Sequence, residues 1–230
     1  MAYHTSIYLF LFLPAVLLAY QLTPKKVRWV TLVLSGYIFF WSISGKLVLY
    51  LIGTTLVTHY IGVWISSVKL ECKIAGAEAS GEERNQIKKQ YKKREKMILA
   101  GGIILLLSAL LYLKYYNFFA QNVNRVLETA GSEFALQAKV LILPIGITFY
   151  TLQAIGYIVD VYWGKINGLE QPPGKIALLL GFFPQIMEGP ISMYSQTADR
   201  LWEGNSLKGE NLSKGSVRIL WGLFKKMVIA

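Results

Sequence analysis

The sequence is poor in charge. Only 16% of its 230 residues are Asp, Glu, Lys or Arg, against about a quarter in an ordinary soluble domain. It has a single cysteine, Cys72, which excludes an intrachain disulfide framework and a cysteine-rich metal site. Histidine is equally scarce, with His4 and His59 alone. Acids are outnumbered, 13 against 24 Lys and Arg, for a net charge of +11. In a soluble protein that balance would suggest nucleic acid. No basic stretch with interleaved aromatics offers a groove for it here, and no nucleic-acid partner is expected. The cations fall between apolar blocks, where their bias sets orientation in a bilayer. Internal repeats and low-complexity tracts are absent, and neither a metal site nor a bound cofactor is expected.

What the sequence has is apolar residues, 54% of the total, in blocks near membrane-spanning length. Candidate spans are Tyr3–Leu22, Val27–Ile43, Leu47–Val68, Met97–Tyr116 and Val140–Trp163. Ile176–Ile191 is shorter and is broken by Pro184, Gly189 and Pro190. The first block has no basic region before it and no small-residue cleavage site after it, so it reads as a retained helix and not a signal peptide. Trp29 and Trp41, near the ends of the second span, mark its two interfaces. The expected fold is all-α: a polytopic transmembrane helical bundle with a broken or re-entrant segment, residues 1–230 forming a single membrane domain. A last apolar block opens at Val217 and stops within itself at Ala230, which reads as truncation.

Orientation follows from the connections. Lys25, Lys26 and Arg28 crowd the first, and nine cations between Lys69 and Lys96 crowd the third. The Asn117–Lys139 connection has only Arg125 and Lys139, offset by Glu128 and Glu133. This alternation places the chain in the cell membrane, multi-pass, with the N-terminus outside and 69–96 cytosolic. The basic connection is expected to form a short surface helix from about Glu82 and to touch anionic lipid.

The stretch LPIGITFYTLQAIGYIVDVYWG at 143–164 carries Tyr150, Gln153, Tyr157 and Asp160. Their spacing of i, i+3, i+7 and i+10 puts them on one helical face, with Ile147, Ile155, Ile158 and Val159 mostly elsewhere, toward lipid or other helices. Polar groups in lipid cost several kcal/mol each, about 2–7 on transfer scales, so the stripe should face protein or a wet cavity. Structural glue between helices is the plain alternative. In IALLLGFFPQIMEGPI at 176–191, proline and Gly-Pro break the helix. Non-helical backbone at membrane depth survives where it is buried in protein or lines a cavity, which makes Gln185 and Glu188 candidate lining residues. A short interfacial helix is the alternative there.

Four segments, LKYYNFF at 113–119, LPIGITFYTLQAIGYIVDVYWG at 143–164, GFFPQIMEGPI at 181–191 and GLFKKMVIA at 222–230, together resemble the membrane-bound O-acyltransferases in their bacterial alginate O-acetyltransferase-like branch. The resemblance implies a multi-helix fold with a tunnel. It implies an acyl donor, acetyl-CoA or a carrier-linked acyl group, as substrate from the cytosolic side, where an acyl-carrier protein is a possible partner. Outside, it implies a cell-surface glycan or a partner acetyltransferase. Tyr150, Gln153, Tyr157, Asp160, Gln185 and Glu188 become candidates to line that route. The family's catalytic histidine, general base toward the acceptor hydroxyl, is expected beyond Ala230, so no catalytic residue is assigned here. His59 does not match that motif. Glu188 stands where the family has a small residue or Gln, and Met193 lies near a position that is basic in it, which implies a different ligand. Two further readings compete: a transporter- or flippase-like protein using Asp160 and Glu188, and an inactive fragment. Transporters show paired broken segments, and this sequence shows one.

Overall fold

The computed structural model describes residues 7–129, 136–137, 144–186 and 194–225. Every regular element among them is helical. A π-helical turn, Ile7–Phe12, leads into α1 (Leu13–Leu22). Then come α2 (Arg28–Ser44), α3 (Val48–Glu78) and α4 (Gly81–Thr129). After the next connection follow α5 (Ile147–Tyr162), α6 (Pro173–Gly181), α7 (Tyr194–Trp202) and α8 (Gly209–Phe224). Two helical stretches, Lys25–Ala77 and Gly81–Thr129, are long and apolar enough to cross a membrane, and Ile7–Leu22 is a shorter apolar helix. This is an all-α membrane helical protein.

Helix ends follow from local chemistry. α1 stops at Thr23, whose amide and hydroxyl both return to the Ala19 carbonyl at 3.1 and 2.7 Å, and Pro24 cannot continue it. α2 ends on Gly45 at φ 54°, a left-handed position that suits glycine. Glu82 and Glu83 occupy the first turn of α4, where carboxylates complement the helix dipole.

The basic connection is helical from Gly81, as expected from about Glu82, but differs from expectation in its extent. No short surface helix stands apart from the spans. α3 runs on past Val68 to Glu78, and α4 is one helix of 49 residues that contains both the basic stretch and the expected fourth span. At 1.5 Å per residue it is about 74 Å long, more than twice a hydrocarbon core. Residues 82–96 are strong helix formers with no Gly or Pro, so nothing local ends the helix where the apolar block begins. Likewise the start of the expected Asn117–Lys139 loop is helical to Thr129.

The core lies where α3, α4 and α5 meet, with α6 set between α2 and α3. Gly36 of α2 lies against the Gly181 carbonyl so closely that a Cβ would overlap it. Tyr8, Phe12, Phe39 and Phe183 form an aromatic cluster, with Phe12 and Phe183 edge-to-face at 5.3 Å. Trp29, expected at an interface, stacks on Trp202 of α7 at 4.6 Å. Arg28 is buried, and its guanidinium donates to the carbonyls of Thr23 (3.0 Å) and Gly204 (3.0 Å) and to Ser206 Oγ (2.8 Å). A cation expected to act in topology is thus also a clamp joining the α1–α2 turn to the α7–α8 loop.

Candidate functional site

α5 packs on α3, α4, α6 and α7, and its position is fixed from its start. Gly146 caps it at φ 68°, against the Ile186 carbonyl, and the Ile145 amide donates to Ser44 Oγ at 3.0 Å. Tyr150, Gln153, Tyr157 and Asp160 are all buried, on one face, as their spacing requires. Burial extends further than the stripe. Ile147 and Ile158, expected to meet lipid or other helices, are both in the core, with Ile158 against α3 and α4 where Gly102 leaves room. Leu152 and Gly156 form the exposed side. α5 is surrounded on most sides, so Ile147 and Ile158 are as buried as the stripe, while Ile155 and Val159 are half-buried.

The stripe residues meet different neighbours. The Tyr150 ring is edge-to-face with Phe40 at 6.3 Å. Tyr157 lies 5.1 Å from the Tyr194 ring and packs on Gly62, where a Cβ would stand 2.9 Å from its hydroxyl. Asp160 pairs with Lys165, Nζ to Oδ1 3.1 Å, and Lys165 also sits over the Trp163 ring at 4.6 Å.

The broken segment breaks where its chemistry demands. α6 ends at Gly181, Phe182 is extended, and Pro184 lies in the turn that follows. Gln185 is in that turn, its amide donating to the Phe182 carbonyl at 2.9 Å. The turn meets α5 at Gly146, through Ile186. Glu188 lies outside the described residues.

Several other buried hydroxyls among the described residues are satisfied. Thr55 and Thr58 donate to the carbonyls of Leu51 and Thr54. The hydroxyls of Tyr20 and Tyr194 donate to the Asn205 carbonyl and Gln171 Oε1 at 2.8 and 2.6 Å. Tyr150 Oη, Tyr157 Oη and Gln185 Oε1 differ: each is buried and has no hydrogen-bond partner among the described residues, as is also true of His59 Nδ1. Such a group costs about 1–3 kcal/mol unless water, a ligand or further chain completes it. Three of the five described candidate residues therefore hold unfilled polar capacity. No cluster of His, Cys, Asp or Glu among the described residues could hold a metal.

One participant had no signature in the sequence. Lys69, which read as one more topogenic cation, donates to the carbonyls of Val161 and Tyr162 at 2.8 and 2.7 Å and so satisfies the C-terminal end of α5. Beside it a cavity of about 300 Å³ is lined by Ser66, Lys69, Lys73, Gly164 and Asn167. The lysine reaches α5 from another helix, so no spacing along the chain could reveal it.

No family model matches the chain, and no solved structure matches it. Curated relatives do. A "Probable alginate O-acetylase AlgI" of Pseudomonas syringae is 29% identical over 231 residues, covering 100% of this chain and 40% of that protein. The Pseudomonas aeruginosa protein of the same name is 28% identical, with the same coverage. A "Peptidoglycan O-acetyltransferase" of Helicobacter pylori is 28% identical over 99% of this chain and 44% of its own length. The chain thus spans about two-fifths of the length of these relatives. Its likeness to membrane-bound O-acyltransferases, carried by four motifs in the sequence, extends over its whole length to relatives named as O-acetyltransferases.

Proposed function

We propose that this chain forms part of a membrane O-acyltransferase that places an acyl group, acetyl by kinship, on hydroxyls of a cell-surface polysaccharide. The observation that carries the reading is homology along the entire chain to O-acetyltransferases of alginate and of peptidoglycan. Tyr150, Gln153, Tyr157, Asp160 and Gln185 line the donor or acceptor route, and Glu188, outside the described residues, is a sequence candidate for it. The incomplete hydroxyls of Tyr150 and Tyr157 and the Gln185 oxygen support this, because a route must keep polar groups free for what passes. The donor is acetyl-CoA or a carrier-linked acyl group delivered from the cytosolic side, with an acyl-carrier protein as partner in the second case. The acceptor is a glycan outside, reached directly or through a partner acetyltransferase. A histidine outside this chain takes the acceptor's proton. The oxygen then attacks the acyl carbonyl, and the donor's thiol or carrier leaves. Asp160 is less suited to carry ions, because Lys165 already neutralises it.

The test is a hybrid in which this chain replaces the aligned part of the Pseudomonas aeruginosa protein, expressed in a strain lacking its own. Acetyl esters on secreted alginate should return to at least about a tenth of the normal level. A hybrid that accumulates in the membrane but leaves alginate unacetylated overturns the proposal for that acceptor, and the same exchange in the Helicobacter pylori protein then tests peptidoglycan.

We further propose a multi-pass arrangement with the N-terminus outside and the α3–α4 turn in the cytosol, on the Lys/Arg asymmetry. In a Cys72→Ser background, Gln121→Cys should react with an impermeant maleimide on intact cells and Gln90→Cys only after lysis. The reverse pattern would invert the topology.

A further inference from the structure

The α3–α4 hairpin carries an apolar groove of about 370 Å³ that the acyl-transfer reading does not use. On α4 its lining residues Arg94, Met97, Gly101 and Leu105 recur at helical spacing on one face. Ile61 and Trp64 of the antiparallel α3 form the other wall. Trp64, Met97 and Leu105 are each more than half exposed, so the groove opens outward from the bundle. Its floor exists because of glycine: a Cβ at Gly101 would meet nothing within 4 Å, whereas one at Gly102 would press on Ile61. The groove is apolar along its length except at one end, where Arg94 stands.

Arg94 is half-exposed and incompletely used. It forms a loose ion pair with Glu71 at 3.8 Å, beyond hydrogen-bond distance, which leaves its donors open, and its guanidinium lies over the Tyr91 ring at 5.6 Å. A guanidinium has five donors in a planar fork suited to phosphate. Lys92, Lys93 and Lys96 flank it in sequence, outnumbering the adjacent Glu95, and Met97 begins the apolar part of α4. Arg94 to Leu105 spans about 16 Å of helix, half the hydrocarbon thickness of a bilayer and so the reach of one leaflet.

We propose that this groove binds one acyl chain of an anionic glycerophospholipid, the chain lying over Gly101 between Trp64 and Met97 and the phosphate resting on Arg94. The charge at the groove's mouth selects the lipid, and the glycine floor admits its chain. This site depends on the membrane location alone and stands whether or not the acyl-transfer reading does.

The test uses the full chain in lipid nanodiscs containing a trace of phosphatidylglycerol with a photoreactive diazirine in one acyl chain, or the matching phosphatidylcholine. Cross-links are mapped by mass spectrometry. The phosphatidylglycerol probe should concentrate on Trp64 and residues 97–105, at about fivefold the yield of phosphatidylcholine, as about 1 kcal/mol per cation near an anionic headgroup implies. Arg94→Gln should bring the two yields together. Gly101→Leu, whose Cβ meets no protein atom within 4 Å and whose side chain fills the floor, should cut both at least about tenfold. Three results would overturn the proposal: cross-links spread evenly over exposed apolar surface, equal wild-type yields for the two probes, or unchanged labelling in Gly101→Leu. A disulfide-linked dimer of Gly101→Cys would assign the groove to a second copy and overturn it too. Should Gly101→Leu fail to accumulate, the wild-type map and Arg94→Gln still decide.

Discussion

Gly146→Ala should prevent the chain from accumulating as folded protein, while Gly156→Ala, further along the same helix, should leave accumulation unchanged. Gly146 has φ 68°, and an L-residue there costs about 1–2 kcal/mol. The larger cost is spatial. A Cβ at Gly146 would overlap the Ile186 carbonyl oxygen, and that oxygen belongs to a backbone turn that has no rotamer to yield. Relief requires the turn after α6 to leave the start of α5, which uncovers Ile147 and Ile186 together, both buried. The sum is about 3–5 kcal/mol, among the largest effects of a single substitution and a large share of ordinary stability. Gly156 is exposed, and a Cβ there meets nothing within 4 Å. Fluorescence-detected size exclusion of detergent extracts compares the two variants directly. A monodisperse Gly146→Ala peak at wild-type height would show that α5 does not begin against Ile186.

The sequence disclosed the all-α class, the stripe and the break before Pro184, because each has a local cause. Helical spacing alone puts Tyr150, Gln153, Tyr157 and Asp160 on one face, and a proline alone stops α6. It did not disclose where α3 and α4 end. The basic stretch is polar but strongly helix-forming, so a helix from about Glu82 was legible, whereas no local pattern shows that it runs unbroken into the apolar block. The burial of Ile147 and Ile158 was not legible either, since periodicity tells which residues share a face but not how many faces have neighbours. In the sequence Lys69 and Arg28 carry only a topogenic signal. Each finds its carbonyl partners across the fold, at Val161, Tyr162 and Gly204, through contacts that no local pattern encodes. The four motifs indicated kinship, and relatives aligned over the whole chain bear it out.

Tyr150→Phe and Tyr157→Phe should each raise stability and lower acyl transfer, and this opposition separates a route from a core. Both rings are almost wholly buried. Both hydroxyls lack a hydrogen-bond partner among the described residues, unlike those of Tyr20 and Tyr194. Removing an unsatisfied buried hydroxyl while keeping the ring recovers a desolvation cost of about 1–3 kcal/mol. The Phe40 contact of Tyr150 and the Tyr194 contact of Tyr157 involve rings only, so ring packing is retained, and only the close approach of the Tyr157 hydroxyl to Gly62 is lost. A chain whose hydroxyls were only glue would have placed them on partners. Groups that meet a passing donor or acceptor are left incomplete at a cost to stability, the usual exchange at functional sites. Thermal unfolding of the purified chain reads the first effect, which should appear as a higher midpoint for each variant. Acetyl content of alginate made by the hybrid O-acetylase reads the second, with an expected loss of at least about tenfold per hydroxyl, the size of a lost hydrogen bond to a reacting group. Higher stability with full activity would make both tyrosines plain core residues and end their assignment to the route. A lower midpoint would mean that the hydroxyls are already satisfied within the folded chain, and the reason for placing them on the route would be gone.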